Sequence, residues 1–540
     1  MYNEKIFCGI FDAFPYFYYS CGGRNHIEED RIMDKFNKIL IPVSTLAMLG
    51  CTDAKDDRPN IIYVYPDQFR NQALAFWNEP EYAEHVAWKA DPVKTPRLDG
   101  FADESVVFSR AMSNCPLSSP YRGIFLTGMY PERNGITLNC MAERPESSLR
   151  EDAVCISDVL SEQGYSCGYI GKLHADHPTP NDPANPGHYV SDRRPEWDAY
   201  TPAERRHGFS FWYSYGTFDE HKNPHYWDTD GVRHDPKVWS VGHETDKAIE
   251  FLRNENGQRK KDAPFFLTIA YNPPHSPYES LDDCMAEDYS LYEDMGYSEL
   301  YVRENADTTL RKAPAARYYF ANVTGVDREF GRLLDALEEL GLDDNTIVVF
   351  PSDHGETMCS QGTEDPKNSI YTESFNVPFI IRYPEKIRPR VDSTLFSSVD
   401  IMPTLLSMAG LKDEIPSTVE GRDLSPVILE NGEDCNIPES ALYIRNLNGP
   451  KDEDGMVKGF FPVARGIKTS RFTFEISVNR DRSLNEVIIF DDIQDPYQLS
   501  PISHKDNPEL FENLLAKLEA KLEEANDIWY REEIIKNLKF

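Results

Sequence analysis

Ten cysteines are spread over 540 residues without one C-x-x-C pair, so the chain has neither a thiolate zinc framework nor a disulfide-dense scaffold. Basic residues are also short: 56 Lys and Arg stand against 91 Asp and Glu, a formal net charge of −35. Nucleic acid and anionic lipid surfaces are thereby excluded as partners, because their phosphates would be repelled. An anionic ligand could be drawn in only by a local basic pocket. There is no internal repeat and no long low-complexity segment, and the apolar run Ile39–Leu49 is too short to cross a bilayer as a helix. What is present is a 40% apolar fraction with 29 Tyr, 29 Phe and 7 Trp. That suffices for a large core, and the length suits two domains.

The N-terminus reads as two pieces. Residues 1–32 carry no pattern. From Met33 the run MDKFNKILIPVSTLAMLGC has a basic start at Lys35 and Lys38 and an apolar centre over Ile39–Leu49. It closes on Gly50-Cys51 like a lipobox, with Met48 where leucine is commoner. The expected organisation is an extension over 1–32 from a misplaced start codon, a lipoprotein signal peptide over 33–50, and an acylated Cys51. A buried helix or strand is the other reading of the apolar stretch. On the anchor reading the protein is a cell-envelope lipoprotein, facing the periplasm or exposed on the outer membrane. It would touch the membrane through its lipid only. Lys55-Asp56-Asp57 resembles the export signals of some surface lipoproteins.

Four short apolar, β-rich runs end in polar residues that carry chemistry. Ile61–Tyr65 stops at Pro66 and leads to Asp67-Gln68, and Ser166–Ile170 leads to Gly171-Lys172-Leu173-His174. Phe265–Ala270 leads to Asn272-Pro273-Pro274-His275-Ser276-Pro277, and Thr346–Phe350 to Pro351-Ser352-Asp353-His354-Gly355-Glu356. In open α/β sheets ligands bind beyond the carboxyl ends of strands. The carboxylate of Asp67 and the amide oxygen of Gln68 are hard ligands suited to Ca²⁺ or Mg²⁺. A plain strand-to-loop turn is the alternative at each place. Between the first two runs, Ser118-Ser119-Pro120-Tyr121-Arg122 opens a stretch through Ile124 and Leu126 to Thr127-Gly128. Proline suits a helix start, where the positive end of the dipole favours an anion. His275 is flanked by prolines and so oriented, and its ordinary pKa suits proton transfer near neutrality.

Ser118-x-Pro120-x-Arg122 with the trailing Thr127-Gly128 resembles the activation signature of the type I formylglycine sulfatases of the alkaline phosphatase superfamily, in their serine-type bacterial form. Asp67-Gln68, G-K-x-H, P-P-H-x-P and S-D-H-G follow in that family's order. Lys367, Tyr371, Glu373 and Val377-Pro378 match its next segment, with Asn376 where arginine is often seen. The resemblance implies that a maturing enzyme oxidises Ser118 to Cα-formylglycine, whose hydrate attacks a sulfate ester. It implies a Ca²⁺, or Mg²⁺, held by Asp67, Gln68, Ser118, Asp353 and His354. Arg122, Lys172 and Lys367 would offset the sulfate charge, His275 would protonate the leaving alcohol, and His174 would take the proton whose loss frees sulfate. Cys115, followed at once by Pro116, has the wrong spacing to be the modified residue.

The fold implied is α/β: a large alkaline-phosphatase-like mixed sheet sandwiched by helices over 58–435, plus a smaller C-terminal α+β subdomain over 436–540. There, Phe472–Ile476 and Glu486–Phe490 read as strands, and Leu510–Glu532 as one amphipathic helix facing inward through Leu510, Leu514, Leu515, Leu518 and Leu522. Ser398–Met408 reads as a capped helix. The insertion between the second and third of the four runs is rich in Arg, Trp, Tyr and His, which suits a sugar ring and its acidic groups. His221 and His225 are its candidate substrate contacts, with loop packing as the alternative. The activity implied is hydrolysis of sulfate esters on carbohydrate. Two other readings stand beside it: a phosphonate or phosphate ester hydrolase of the same superfamily, and a silent glycan-binding lipoprotein in which Ser118 is never oxidised.

Overall fold

The computed structural model describes residues 56–191, 197–217, 220–430 and 436–540. The expected extension over 1–32, the signal over 33–50 and Cys51 lie outside the described residues. The strands are β1 Asn60–Val64, β2 Val106–Phe108, β3 Ala111–Met112, β4 Ser166–Lys172, β5 Phe211–Tyr215, β6 Tyr226–Asp228, β7 Arg233–His234 and β8 Phe265–Ala270. They continue with β9 Thr346–Pro351, β10 Phe379–Arg382, β11 Arg390–Asp392, β12 Phe396–Ser397, β13 Ser440–Asn448, β14 Phe460–Thr469, β15 Phe472–Val478 and β16 Leu484–Asp491.

Ten of them form one mixed sheet in the order β11-β2-β10-β9-β1-β8-β4-β5-β6-β7. Its centre, β9-β1-β8-β4, is parallel throughout, so four carboxyl ends open on one side. These strands are apolar at nearly every position because both faces are covered. Ile62 and Val64 of β1, with Val348 and Phe350 of β9, pack on one face with the helices Ser240–Arg253 and Ala316–Glu339. Ile61 and Tyr63, with Ile347 and Val349, pack on the other with the helices Ser118–Thr127, Ile156–Glu162 and Ile401–Met408. The period-2 alternation of a strand therefore feeds two cores at once.

A second sheet, antiparallel in the order β13-β14-β15-β16, carries the helix Pro508–Glu524. Phe511, Leu514, Leu518 and Leu522 of that helix are buried against Leu442, Ile467, Phe474 and Ile476. Leu510 and Leu515 are only partly buried. The helix also ends earlier than the apolar spacing predicts: Asn526 takes a left-handed φ of 45°. Asp527 then caps a new turn, Ile528–Arg531, by accepting from the Trp529 backbone N–H at 2.8 Å. The second sheet shares its buried cluster with Cys115, Ile124 and Val399, so it packs directly beneath the Ser118–Thr127 helix.

Candidate active site

Each strand-end motif reaches the same cleft because the four strands are neighbours and point the same way. Asp67 and Gln68 follow β1, Lys172 ends β4, Asn272 and His275 follow β8, and Asp353 and His354 follow β9. Ser118 enters from the first turn of its helix, where Pro120 costs no intrahelical hydrogen bond. Its Oγ lies 3.0 Å from His354 Nε2, 3.3 Å from Lys367 Nζ and 3.5 Å from an Asp67 oxygen. Lys367 comes from the loop after β9 and also reaches His275 Nε2 and His354 Nε2, each at 3.1 Å.

Two carboxylates, Asp67 and Asp353, are wholly buried here and are met by cations. Arg122 Nη2 pairs with Asp67 at 3.1 Å and Asp353 at 3.5 Å, and Lys172 Nζ pairs with Asp67 at 2.9 Å. Burial works against the charge of Asp67, yet Lys172, His275 and Lys367 hold its carboxyl well below the usual range. Burial and the neighbouring Asp67 push Asp353 up to about 7. With Lys367 added, three cations meet two carboxylates among the described residues, a local positive balance in a chain whose net charge is −35.

The three imidazoles can be assigned proton by proton, since a carbonyl oxygen only accepts. His354 Nδ1 donates to Gly355 O at 3.0 Å and His275 Nδ1 to Ser276 O at 2.8 Å, so each turns the lone pair of Nε2 into the cleft. His174 is the reverse: Nε2 donates to Cys140 O at 3.2 Å, and buried Nδ1 has no hydrogen-bond partner among the described residues. Burial first, then Lys172 with Lys367 for His275 and with Arg122 for His174, pushes both well below the ordinary histidine range. His174 and Gln68 both hold left-handed backbone, φ 46° and 66°, a conformation that non-glycine residues keep only where the surroundings enforce it.

Asp67, Asp353 and His354 place one ligand atom each within 4.8 Å of one another. The oxygen Oε1 of buried Gln68 has no hydrogen-bond partner among the described residues, while the Gln68 backbone N–H donates to Asp353 at 2.9 Å. Three oxygens and an imidazole lone pair, two of the groups anionic, fit a hard divalent cation.

Several residues at the site escaped the sequence reading. Asn272 accepts from Lys172 Nζ at 3.0 Å, and the Tyr65 hydroxyl accepts from Arg122 Nη1 at 2.9 Å. Each sits within two residues of a strand end and within three of a cleft residue on the same segment, the one signal that could have marked them. The Trp197 ring lies 6.4 Å from that of His174. His221 and His225 are buried: His221 Nδ1 donates to Asp283 O at 2.8 Å, and His225 Nε2 meets Asp198 at 2.6 Å. Asn376 donates to Ala111 O at 2.7 Å and accepts from Asn71 at 2.8 Å, which ties β10's approach to β3.

Residues 59–411 match the family described as Sulfatase, and residues 364–527 match the C-terminal region of N-sulphoglucosamine sulphohydrolase. The chain is 55% identical over 499 residues to an endo-4-O-sulfatase of Bacteroides thetaiotaomicron, covering 91% of this chain and 98% of that one. It is 31% identical over 510 residues to an ulvan-active sulfatase of Formosa agariphila, covering 90% and 86%. A solved structure from work on glycosaminoglycan metabolism by Bacteroides thetaiotaomicron superposes with a TM-score of 0.88 at 56% identity, covering 89% and 99%.

Proposed function

This chain belongs to the sulfatase family, and from that premise we propose that it hydrolyses 4-O-sulfate esters within a sulfated polysaccharide. One observation carries the reading. Ser118 Oγ sits 3.0 Å from His354 and 3.3 Å from Lys367 in a positive, buried cleft built from four adjacent strand ends. The endo-4-O-sulfatase likeness over nearly the whole relative supports the position and the internal attack.

In this proposal a maturing enzyme converts Ser118 to Cα-formylglycine, whose hydrated aldehyde supplies both a nucleophile and a way to expel sulfate afterwards, which an unmodified serine lacks. Asp67, Gln68, Asp353 and His354 hold a Ca²⁺, which supplies Lewis-acid polarisation of the sulfate. Lys172 and Lys367 bring ammonium groups to the anion, and Arg122 keeps the two carboxylates in place. His275 fixes its Nδ1–H on Ser276 O, so Nε2 is the nitrogen that must take up a proton before passing it to the leaving alcohol oxygen. Burial, with Lys172 and Lys367, lowers the basicity of that nitrogen, and an arriving sulfate would offset the lysines and raise it. His174, with Nδ1 bare, takes the proton whose removal releases sulfate. Acylated Cys51 tethers the enzyme to the cell envelope, within reach of a polymeric substrate.

The test is to co-express the chain with an anaerobic radical maturing enzyme and record the peptide mass across Ser118. A loss of two hydrogens is expected, followed by sulfate release from 4-O- but not 6-O-sulfated oligosaccharides of the same sugar, and from internal residues of longer chains. Unmodified serine, with turnover of phosphate or phosphonate monoesters instead, would overturn the proposal.

A further inference from the structure

Glu356 follows Ser352-Asp353-His354-Gly355 and is wholly buried. Both of its oxygens are used. Oε2 accepts from the Gln68 amide nitrogen Nε2 and from the Tyr278 hydroxyl at 2.8 Å. Oε1 accepts from the Met358 backbone N–H at 2.9 Å and from Lys312 Nζ at 3.4 Å. Tyr278, having given its proton to Glu356, accepts from Gln68 Nε2 at 3.4 Å.

A carboxylate only accepts, so the end of the Gln68 amide that meets it must be the NH₂ group. The other end, Oε1, is then the atom left buried without a donor. An amide alone is indifferent to a half-turn about its last bond, and a half-turn here would replace an oxygen ligand by a pair of N–H donors. We propose that Glu356, with Tyr278, is the positioning residue that locks the Gln68 amide with its oxygen presented to the divalent cation. The inference rests on the metal-site reading given above. A purely structural Glu356 would do no more than tie the 356–364 loop through Met358 and Lys312.

Calorimetric Ca²⁺ titration of the chelator-stripped full chain separates the two roles, comparing wild type with Glu356→Gln, Gln68→Glu and the double variant. In Glu356→Gln the introduced amide keeps its oxygen for Met358 and Lys312 and turns its NH₂ toward Gln68, which must flip. The Kd for Ca²⁺ is expected to rise about tenfold or more. Gln68→Glu alone sets two carboxylates in contact and lowers the Tm of the stripped protein. The double variant exchanges donor and acceptor: the new amide donates to the new carboxylate, and Met358 and Lys312 stay satisfied. Its Kd should return to within about threefold of wild type, a rescue that loop tethering cannot produce.

An unchanged Kd in folded Glu356→Gln overturns the inference. So does a double variant that binds no better than Glu356→Gln. Should Glu356→Gln fail to fold, the double variant must still exceed Gln68→Glu in Tm and Ca²⁺ affinity, or the inference falls. A wild type that binds neither Ca²⁺ nor Mg²⁺ removes the metal site itself, a distinct result.

Discussion

Ser118 and Cys115 are three residues apart and in different worlds. The Cys115 thiol is buried in the cluster shared with the second sheet, where desolvation pushes it up to about 12. A thiol that cannot ionise and touches apolar side chains has no access to the cleft. Ser118 Oγ, equally buried, faces Lys367, His354 and Asp67. In sulfate-release assays on matured protein, Ser118→Ala and His275→Ala should each lose at least about a thousandfold in kcat. Cys115→Ala should keep its rate within about twofold and lose only about 1 kcal/mol of stability. A folded but inactive Cys115→Ala would reverse the choice of nucleophile.

Among the elements, the Ser118–Thr127 helix shows why the trailing Thr-Gly belongs to the signature. Gly128 ends the helix at φ 62° with its N–H on Ile124 O, and a Cβ there would stand 3.0 Å from Val419. The Thr127 hydroxyl meanwhile donates to Gly123 O at 2.7 Å. Gly128→Ala should therefore cost about 1–2 kcal/mol in urea unfolding, and no loss would mean that the cap is not needed to seat the helix. Strand ends were legible because each is a short apolar run followed at once by polar residues, as in β8 and Asn272. The C-terminal helix was overread because Leu510 to Leu522 and the apolar Ile528, Trp529 continue one spacing. The local break, a left-handed Asn526 and the cap Asp527, outweighs it.

At the scale of the whole molecule, burial sets the response to pH. Glu244 is buried on the Ser240–Arg253 helix with Oε1 on the Tyr226 hydroxyl at 2.8 Å and Oε2 unpartnered, and desolvation pushes it from 4.5 up to about 8. Asp327, Glu420 and Glu475 are each pushed up to about 7, chiefly by the same cause. A carboxyl raised above its unfolded value stabilises the fold fully below that value and loses the contribution as pH rises through the folded one. For Glu244 the window runs from 4.5 to about 8, worth at most about 5 kcal/mol at ~1.4 kcal/mol per pH step. Tm should fall between pH 5 and pH 9, and Glu244→Gln should flatten the fall and exceed wild type at pH 9. Added salt will recover only the part due to surface repulsion at a net charge of −35. An identical slope in Glu244→Gln would sink this account.

The sequence by itself determined which side chains stand at the strand ends and at the helix start. Local rules suffice for that: a strand must end where its apolar run ends, and a helix must open near Pro120. It carried the α/β class, the strand ends bearing Asp67, Lys172, His275 and Asp353, and Ser118 at a helix start. Tertiary structure decided the rest. The order β9-β1-β8-β4 is a matter of strand pairing across hundreds of residues, and that pairing converts separate motifs into one cleft. Which imidazole nitrogen faces inward depends on carbonyls of Cys140, Gly355 and Ser276. Which end of the Gln68 amide does so depends on Glu356, 288 residues away. Such choices are made by hydrogen-bond partners that only the folded chain brings within 3 Å or so, and no local pattern encodes them.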